Sequence, residues 1–148
     1  MNNWLSLLFV CECAGGCSHF QDCLEREGCH LLVATDRERA ARTLLFPRAI
    51  DAVLIHHDSL SRASVIASGL KLISPHVPTV LVTGEWPSNG ERPYGVDALC
   101  HTAFLSRRAA RDTARFVRHL LVDVSQNLAE EPPHSHGRFV ARRPTYLN

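Results

Sequence analysis

Short apolar runs recur along the first hundred residues, and polar segments with helical spacing separate them. The first run, Leu5–Val10, is apolar except for Ser6. The others lie at Leu31–Ala34, Ala52–Ile55, Thr79–Val82 and, more weakly, Val96–Cys100. Uninterrupted apolar runs of this length are typical of strands that are buried on both faces. The pattern therefore predicts five buried strands.

Helical periodicity fills most of the intervals between these strands. Four helices are predicted. The first, Ser18–Glu27, is opened by a capping box of Ser18 and Gln21, and the second helix follows Thr35 and ends near Phe46. The third and fourth helices are Ala63–Ile73 and Ser106–Val122. Segment Glu85–Tyr94 contains Pro87, Gly90 and Pro93, which disfavour a long helix. We therefore expect the helix after the fourth strand to be short or absent.

Alternating strands and helices define the fold class. Right-handed crossovers between successive strands give a parallel sheet with helices on both faces. The predicted fold is a doubly wound, five-stranded α/β sheet of order 2-1-3-4-5, which is the flavodoxin-like order. Residues 4–122 form this single domain. Pro132 and Pro133 lie in the remaining segment, 123–148, which we expect to be a mobile C-terminal tail.

Composition narrows the class of protein without identifying a chemistry. The chain has 148 residues, of which 45% are apolar and 21% are charged, which excludes wholesale disorder, collagen-like and coiled-coil structures. The net charge is +1, so no global field attracts nucleic acid or an anionic membrane. No apolar stretch reaches the ~20 residues of a membrane span.

Six cysteines raise the question of redox compartment. The first three residues, Met1–Asn3, carry no basic side chain, and the apolar run that follows is at the short limit for a secretion signal. We therefore expect a soluble cytoplasmic protein whose thiols are reduced.

Polar and sulfur-containing residues follow four of the five predicted strands. In doubly wound folds, ligands bind at the carboxyl ends of the strands, where the strand order reverses. The residues expected there are Cys11, Glu12 and Cys13, then His56 and His57, then Thr83 and Gly84, and finally Cys100, His101 and Thr102.

Four segments carry a resemblance to a known family. They are LLFVCE at Leu7–Glu12, DAVLIH at Asp51–His56, PTVLVT at Pro78–Thr83 and GVDALCHTAF at Gly95–Phe104. With them, the region Trp4–Val122 resembles the receiver domain of bacterial response regulators. That resemblance implies phosphorylation of an aspartate after strand 3, with Mg²⁺ on two acidic residues after strand 1, a lysine after strand 5 and a hydroxyl after strand 4.

Most of those functional positions are substituted in this sequence. Compared with the family pattern, Cys11 replaces the first acidic residue, Glu12 keeps the second, and His56 replaces the phosphoacceptor. Thr83 matches the switch hydroxyl, and the lysine is replaced by Thr102, or by His101 if the register shifts by one. The sole lysine, Lys71, lies on the helix after strand 3 and does not substitute. The resemblance thus implies a stand-alone pseudo-receiver, which is not an enzyme, binds no cofactor and acts by docking a signalling protein or a second copy of itself.

The substituted residues also suggest a different chemistry. Cysteine and histidine suit Zn²⁺, Cu⁺ or haem better than Mg²⁺. The alternative function is therefore a metal-, haem- or redox-sensing module, with candidate ligands Cys11, Cys13, His56, His57 and His101. In the competing interpretation, Cys11 and Cys100 are buried hydrophobic residues, and the histidines make ordinary hydrogen bonds in loops.

Arginines line one face of the last predicted helix. Arg108, Arg111, Arg115 and Arg118 lie opposite its apolar face. This face is either solvated, or docks a partner protein, or contacts phosphates, but no recognition helix or aromatic set supports nucleic-acid binding. The sequence also has neither a Gly-x-Ser-x-Gly nucleophile elbow nor a phosphate-binding glycine loop, which agrees with a non-enzymatic role.

Overall fold

A computed structural model describes residues 4–12, 17–46, 49–85, 87, 92–102 and 104–130, without the side chains of 126–130. Its five parallel strands form one sheet of order β2-β1-β3-β4-β5, as predicted. The strands are β1 (Leu5–Cys11), β2 (Cys29–Ala34), β3 (Ala52–His56), β4 (Thr79–Thr83) and β5 (Ala98–His101). All five end one residue or less beyond the apolar runs, so the residues expected at the carboxyl edge are the last residues of the strands or follow them directly.

Helices cover both faces of the sheet. They are α1 (Ser18–Arg26), α2 (Arg37–Leu45), α3 (Leu60–Ile73) and α4 (Arg107–Glu130). Alternate residues of β1 point to opposite faces: Leu7 and Phe9 pack with α1 and α4, whereas Leu8 and Val10 pack with α2 and α3. The continuous apolar strands predicted from sequence are therefore buried between two separate cores.

Local side-chain hydrogen bonds fix where three of the helices begin. Asp36, Ser59 and Ser106 accept the backbone N–H of the residue three positions later, at 2.8 to 3.3 Å. Helix α1 differs, because its first flanking residue is Cys17, whose side chain makes no capping hydrogen bond. The predicted capping box of Ser18 and Gln21 is therefore wrong: Ser18 is already helical, and the N–H of Gln21 donates to the carbonyl of Cys17.

The connection from β4 to β5 contains no helix within its described residues, 84, 85, 87 and 92–97. This agrees with the effect expected of its prolines. The connection ends in a turn at Gly95, whose φ is +85°. A Cβ there would lie 2.7 Å from the backbone nitrogen of Ser68 on α3, so glycine permits both the conformation and the close approach.

Two aspartates hold the amino edge of the sheet. Asp51 accepts the N–H of Ser6 at 2.8 Å, and Asp97 accepts the N–H of Thr79 at 2.7 Å. Asp97 also pairs with Lys71, whose ammonium donates to the carbonyl of Val77. The single lysine therefore lies at the opposite edge from the predicted crevice, as its position in the sequence implied.

The last helix is longer than predicted. Helix α4 continues to Glu130 rather than ending near Val122, because no proline or glycine interrupts the chain before Pro132. The remainder of the predicted tail, 131–148, lies outside the described residues. None of the described helices has the length and apolarity that a bilayer span requires.

Candidate functional site

The carboxyl edge of the sheet brings the predicted site residues to neighbouring positions. Cys11 and His56 are register partners at the ends of β1 and β3. Thr83 and His101 are partners at the ends of β4 and β5. Parallel register therefore places these four residues along one edge.

Glu12, which follows β1, is held by two partners from the next unit of the chain. Its carboxylate lies 3.0 Å from Nε2 of His57, and 3.2 and 3.3 Å from the guanidinium of Arg62. His57 Nδ1 accepts the N–H of Ser59 at 2.9 Å, so the ring carries its proton on Nε2 and donates it to Glu12. The His57 hydrogen bond, together with Arg62, lowers the pKa of Glu12 despite the opposing effect of burial. Glu12 is thus an ionised carboxylate that is already paired.

A sulfur–imidazole cluster lies beside this carboxylate. The Sγ atoms of Cys11 and Cys17 lie 3.9 and 3.6 Å from Nδ1 of His56, and both cysteines are buried. A disulfide joins the two cysteines, whose Cα atoms are 7.1 Å apart. The expectation of reduced thiols is therefore wrong for this pair, whose members are six positions apart in the sequence. Cys23, Cys29 and Cys100 are free and buried.

Sequence reasoning missed Cys17 as a member of the cluster. Its position directly before the first residue of α1 could have indicated this, since helices that follow parallel strands begin at the carboxyl edge of the sheet. The structure brings His57 to Glu12 rather than to the sulfur atoms, and it places His101 against the carbonyl of Gly84, at 3.1 Å. Cys13, another predicted ligand, lies outside the described residues.

His56 is a neutral imidazole under ordinary conditions. Burial lowers its pKa, and the neighbouring His57 acts in the same direction, while Asp58 opposes them. A neutral imidazole has a lone pair available on one ring nitrogen, which suits it to accept a hydrogen bond or bind a metal ion.

The two predicted threonines serve their own loops. The hydroxyl of Thr83 is buried and accepts the N–H of Glu85 at 3.0 Å. The hydroxyl of Thr102 donates to the carbonyl of Phe104 at 2.9 Å, and its N–H donates to the carbonyl of Thr83. These bonds shape the edge of the sheet.

Burial suppresses the chemistry of the two free cysteines within strands. It raises the pKa of Cys29 to about 11 and that of Cys100 well above its ordinary value. Since the thiolate is the reactive and metal-binding form, both behave as small apolar residues. For Cys100, this agrees with the interpretation that it serves packing.

The predicted arginine face of α4 divides into two parts. Arg108, Arg111 and Arg115 are exposed and line one shallow groove together with Asp112. Arg118 is half-buried, and its guanidinium donates to the carbonyl of Glu27 at 2.8 Å. Arg118 therefore ties α4 to the end of α1, which leaves three arginines of the predicted docking set on the open surface.

Solved structures of other proteins share the fold of this chain. A CheY-like receiver domain protein from Methanospirillum hungatei aligns with a TM-score of 0.64 over 84% of this chain and 99% of its own, at 15% identity. A receiver domain protein from Clostridium thermocellum gives 0.66 over 84% and 98%, at 16% identity. The fold is that of receiver domains.

A third similar structure is an orphan response regulator of H. pylori. It aligns with a TM-score of 0.56 over 81% of this chain and 96% of its own, at 15% identity. No protein-family model and no curated protein matches the sequence. The likeness to solved structures therefore rests on the fold.

The residues at this edge do not fit the magnesium ion that the receiver fold implies. Mg²⁺ requires several hard oxygen ligands in octahedral geometry. The position of the first acidic residue holds the disulfide-bonded sulfur of Cys11, and the Glu12 carboxylate is engaged by His57 and Arg62. These two positions thus offer one paired carboxylate where the ion requires several oxygen ligands.

Proposed function

We propose that this protein is a pseudo-receiver, a signalling module that has lost aspartyl phosphorylation and acts by docking an acidic protein partner. The observation that carries the proposal is the composition of the carboxyl edge. His56 ends β3, where the receiver resemblance places the phosphoacceptor, and it lies beside a disulfide rather than beside a pair of carboxylates.

Electrostatics supports the loss of phosphorylation. Phosphoryl transfer depends on cations that neutralise the charge developing on the equatorial oxygens. Thr102 supplies no charge, and Lys71 is paired with Asp97 at the far edge of the sheet. Arg62 reaches this edge from α3, but it already binds Glu12. The geometry therefore supports a scaffold role for this edge.

The exposed part of the arginine face supports docking to an acidic surface. Arg108, Arg111 and Arg115 project from one side of α4, and only Asp112 among the groove-lining residues carries a negative charge. Guanidinium groups form bidentate bonds with carboxylates, which gives orientation as well as attraction. The partner that fits this surface is an acidic protein, or an acidic region of a second copy.

Phosphorylation is tested with acetyl phosphate and Mg²⁺, read out by intact mass. We expect the wild-type protein to gain no phosphoryl group. The matched control is the triple variant Cys11→Asp, His56→Asp, Thr102→Lys, which restores the family pattern and should gain one. A stable phosphoryl adduct on the wild-type chain would overturn the proposal.

Docking is tested by photo-crosslinking in cells of the source organism, with a photoreactive residue at position 107 next to the face. We expect a crosslink to an acidic protein or a second copy, which disappears in Arg111→Glu, Arg115→Glu. The matched control is Arg39→Glu, Arg42→Glu on α2, which makes the same charge change on an exposed helix. An identical crosslink in both double variants, or no crosslink at all, would refute the docking face.

A further inference from the structure

We propose that Cys11, Cys17 and His56 form a thiophilic metal site that binds Zn²⁺ when the two cysteines are reduced and is closed when they form a disulfide. This proposal goes beyond docking, because it assigns a ligand and a redox control to the edge that has lost its phosphorylation chemistry.

Three structured elements position the ligands. Cys11 ends β1, His56 ends the neighbouring β3, and Cys17 precedes the first residue of α1. Their donor atoms all lie within 4.8 Å of one another, and in the part of the chain that the structure describes they form the one such group of three or more. The cysteines are buried and His56 is half-buried, so the site is shielded but retains an approach along the imidazole.

Distances from the imidazole to the sulfur atoms match those of ligands that share one metal ion. Nδ1 of His56 lies 3.6 Å from Sγ of Cys17 and 3.9 Å from Sγ of Cys11. With Zn–S near 2.3 Å and Zn–N near 2.0–2.1 Å, tetrahedral to trigonal angles put nitrogen and sulfur about 3.5–3.8 Å apart. The distance to Cys17 lies within this range and the distance to Cys11 just beyond it, so metal entry requires mainly separation of the two sulfur atoms.

The backbone spacing of the cysteine pair favours a bridge that is longer than a direct S–S bond. The Cα atoms of Cys11 and Cys17 lie 7.1 Å apart, beyond the usual range of about 4.4–6.8 Å for directly bonded cysteines. An ion bonded to both sulfurs lengthens the bridge, so the same backbone positions suit a metal-bridged dithiol.

The two states interconvert by a balanced reaction. A dithiol reductant gives two electrons and two protons to the Cys11–Cys17 disulfide, which yields two thiols and the oxidised reductant. Zn²⁺ then displaces the two thiol protons and binds the thiolates together with neutral His56. Two sulfurs and one nitrogen leave a fourth tetrahedral position for water or an incoming ligand.

The test is zinc binding by the full chain, prepared without an affinity tag in reduced and oxidised form. A non-thiol phosphine reductant keeps the cysteines free without competing for metal. After desalting, we expect one Zn²⁺ per reduced chain by elemental analysis and no more than a tenth of that in the oxidised chain. Co²⁺ should give the thiolate-to-cobalt charge-transfer absorption in the reduced chain alone.

Single substitutions identify the ligands. Cys17→Ser and His56→Gln should each weaken zinc binding at least tenfold in the reduced protein, and circular dichroism checks that each variant is folded. The matched control is Cys23→Ser, because Cys23 also lies beside an imidazole, 3.7 Å from Nε2 of His19, but belongs to no group of three ligands among the described residues. It should bind zinc as the wild type does.

Each result bears on the proposal. Equal zinc content in reduced and oxidised chains, or none in either, would overturn it. Undiminished binding in both Cys17→Ser and His56→Gln would also overturn it, as would loss of binding in folded Cys23→Ser. Partner docking and phosphorylation play no part in these readouts, so the outcome is independent of the docking proposal.

Discussion

The two edges of the sheet carry the same kinds of side chain but use them differently. At the amino edge, the carboxylates of Asp51 and Asp97 accept backbone N–H groups of neighbouring strands. At the carboxyl edge, the carboxylate of Glu12 contacts the side chains of His57 and Arg62, which come from a loop and a helix.

This difference separates an edge whose side chains hold the strands from an edge whose side chains are available for other contacts. Backbone partners fix the amino edge, because a strand that loses its carboxylate leaves a polar group without its acceptor. Side-chain partners at the carboxyl edge can be exchanged without breaking the sheet, so this edge accommodates new residues such as Cys11, Cys17 and His56. Substitutions at the two edges should therefore differ in their cost in unfolding free energy, with the largest costs at the amino edge.

Replacing Asp97 tests the amino edge most severely. Asp97→Ala removes the acceptor of the Thr79 N–H and the partner of Lys71, and both charged side chains are about one-fifth exposed. Breaking a mostly buried ion pair in this way costs about 4 kcal/mol of unfolding free energy. Urea unfolding followed by circular dichroism measures the loss.

A conservative variant separates the two roles of Asp97. Asp97→Asn keeps an acceptor for the Thr79 N–H but loses the charge opposite Lys71, so it should cost less than Asp97→Ala. If Asp97→Ala cost no more than Glu12→Ala at the other edge, the contrast between the two edges would be lost.

Gly95 tests the turn that leads to β5 at the amino edge. Gly95→Ala imposes a side chain on a backbone with φ of +85° and puts its Cβ 2.7 Å from the nitrogen of Ser68. Conformational strain and the backbone clash together should cost about 3 kcal/mol in the same unfolding experiment.

Gly28 provides a matched control for this steric effect. Its φ of +88° is similar, but a Cβ there would meet the flexible guanidinium of Arg118 at 3.0 Å. Gly28→Ala should therefore cost about 1–2 kcal/mol, mainly from the backbone conformation. Equal losses for the two variants would show that the approach to Ser68 does not limit the turn.

The sequence predicted the sheet order because the relevant signals are local. Mostly apolar runs such as Leu5–Val10 mark buried strands, and Pro87 and Pro93 mark the connection that lacks a helix in its described part. The site was harder, because its contacts are not local. Cys17 bonds to Cys11 across elements β1 and α1, and the role of Arg118 depends on a carbonyl 91 positions away.

Cys29, the first residue of β2, tests the amino edge through its titration. Burial raises the pKa of its thiol to about 11 from an ordinary value near 9. Between these values the unfolded chain releases the proton and the folded chain keeps it, so stability falls as pH rises. The loss attributable to Cys29 should total between about 2 and 3 kcal/mol.

Cys29→Ala isolates this contribution. The variant is less stable at neutral pH, because it leaves a small cavity, but its stability should decline less steeply than that of the wild type above pH 9. Thiolate absorbance of the folded protein gives a second, direct titration. Parallel alkaline slopes for the two proteins would show that Cys29 is not protected by burial.

Glu12 should give the smallest effect on stability, and the opposite pH dependence. Its folded pKa lies below the ordinary value of 4.5, so its stabilisation is present above that value and is lost as pH falls through the folded pKa. Because Glu12 and Arg62 are partly exposed, the contribution should stay below about 1 kcal/mol.

Glu12→Gln, which keeps an oxygen for His57 but has no charge, should lose less stability than the wild type on acidification. The wild type could instead lose as much unfolding free energy on acidification as Asp97→Ala loses at neutral pH. In that case the carboxyl edge would also hold the sheet together, and its residues would be less free to change than their side-chain partners indicate.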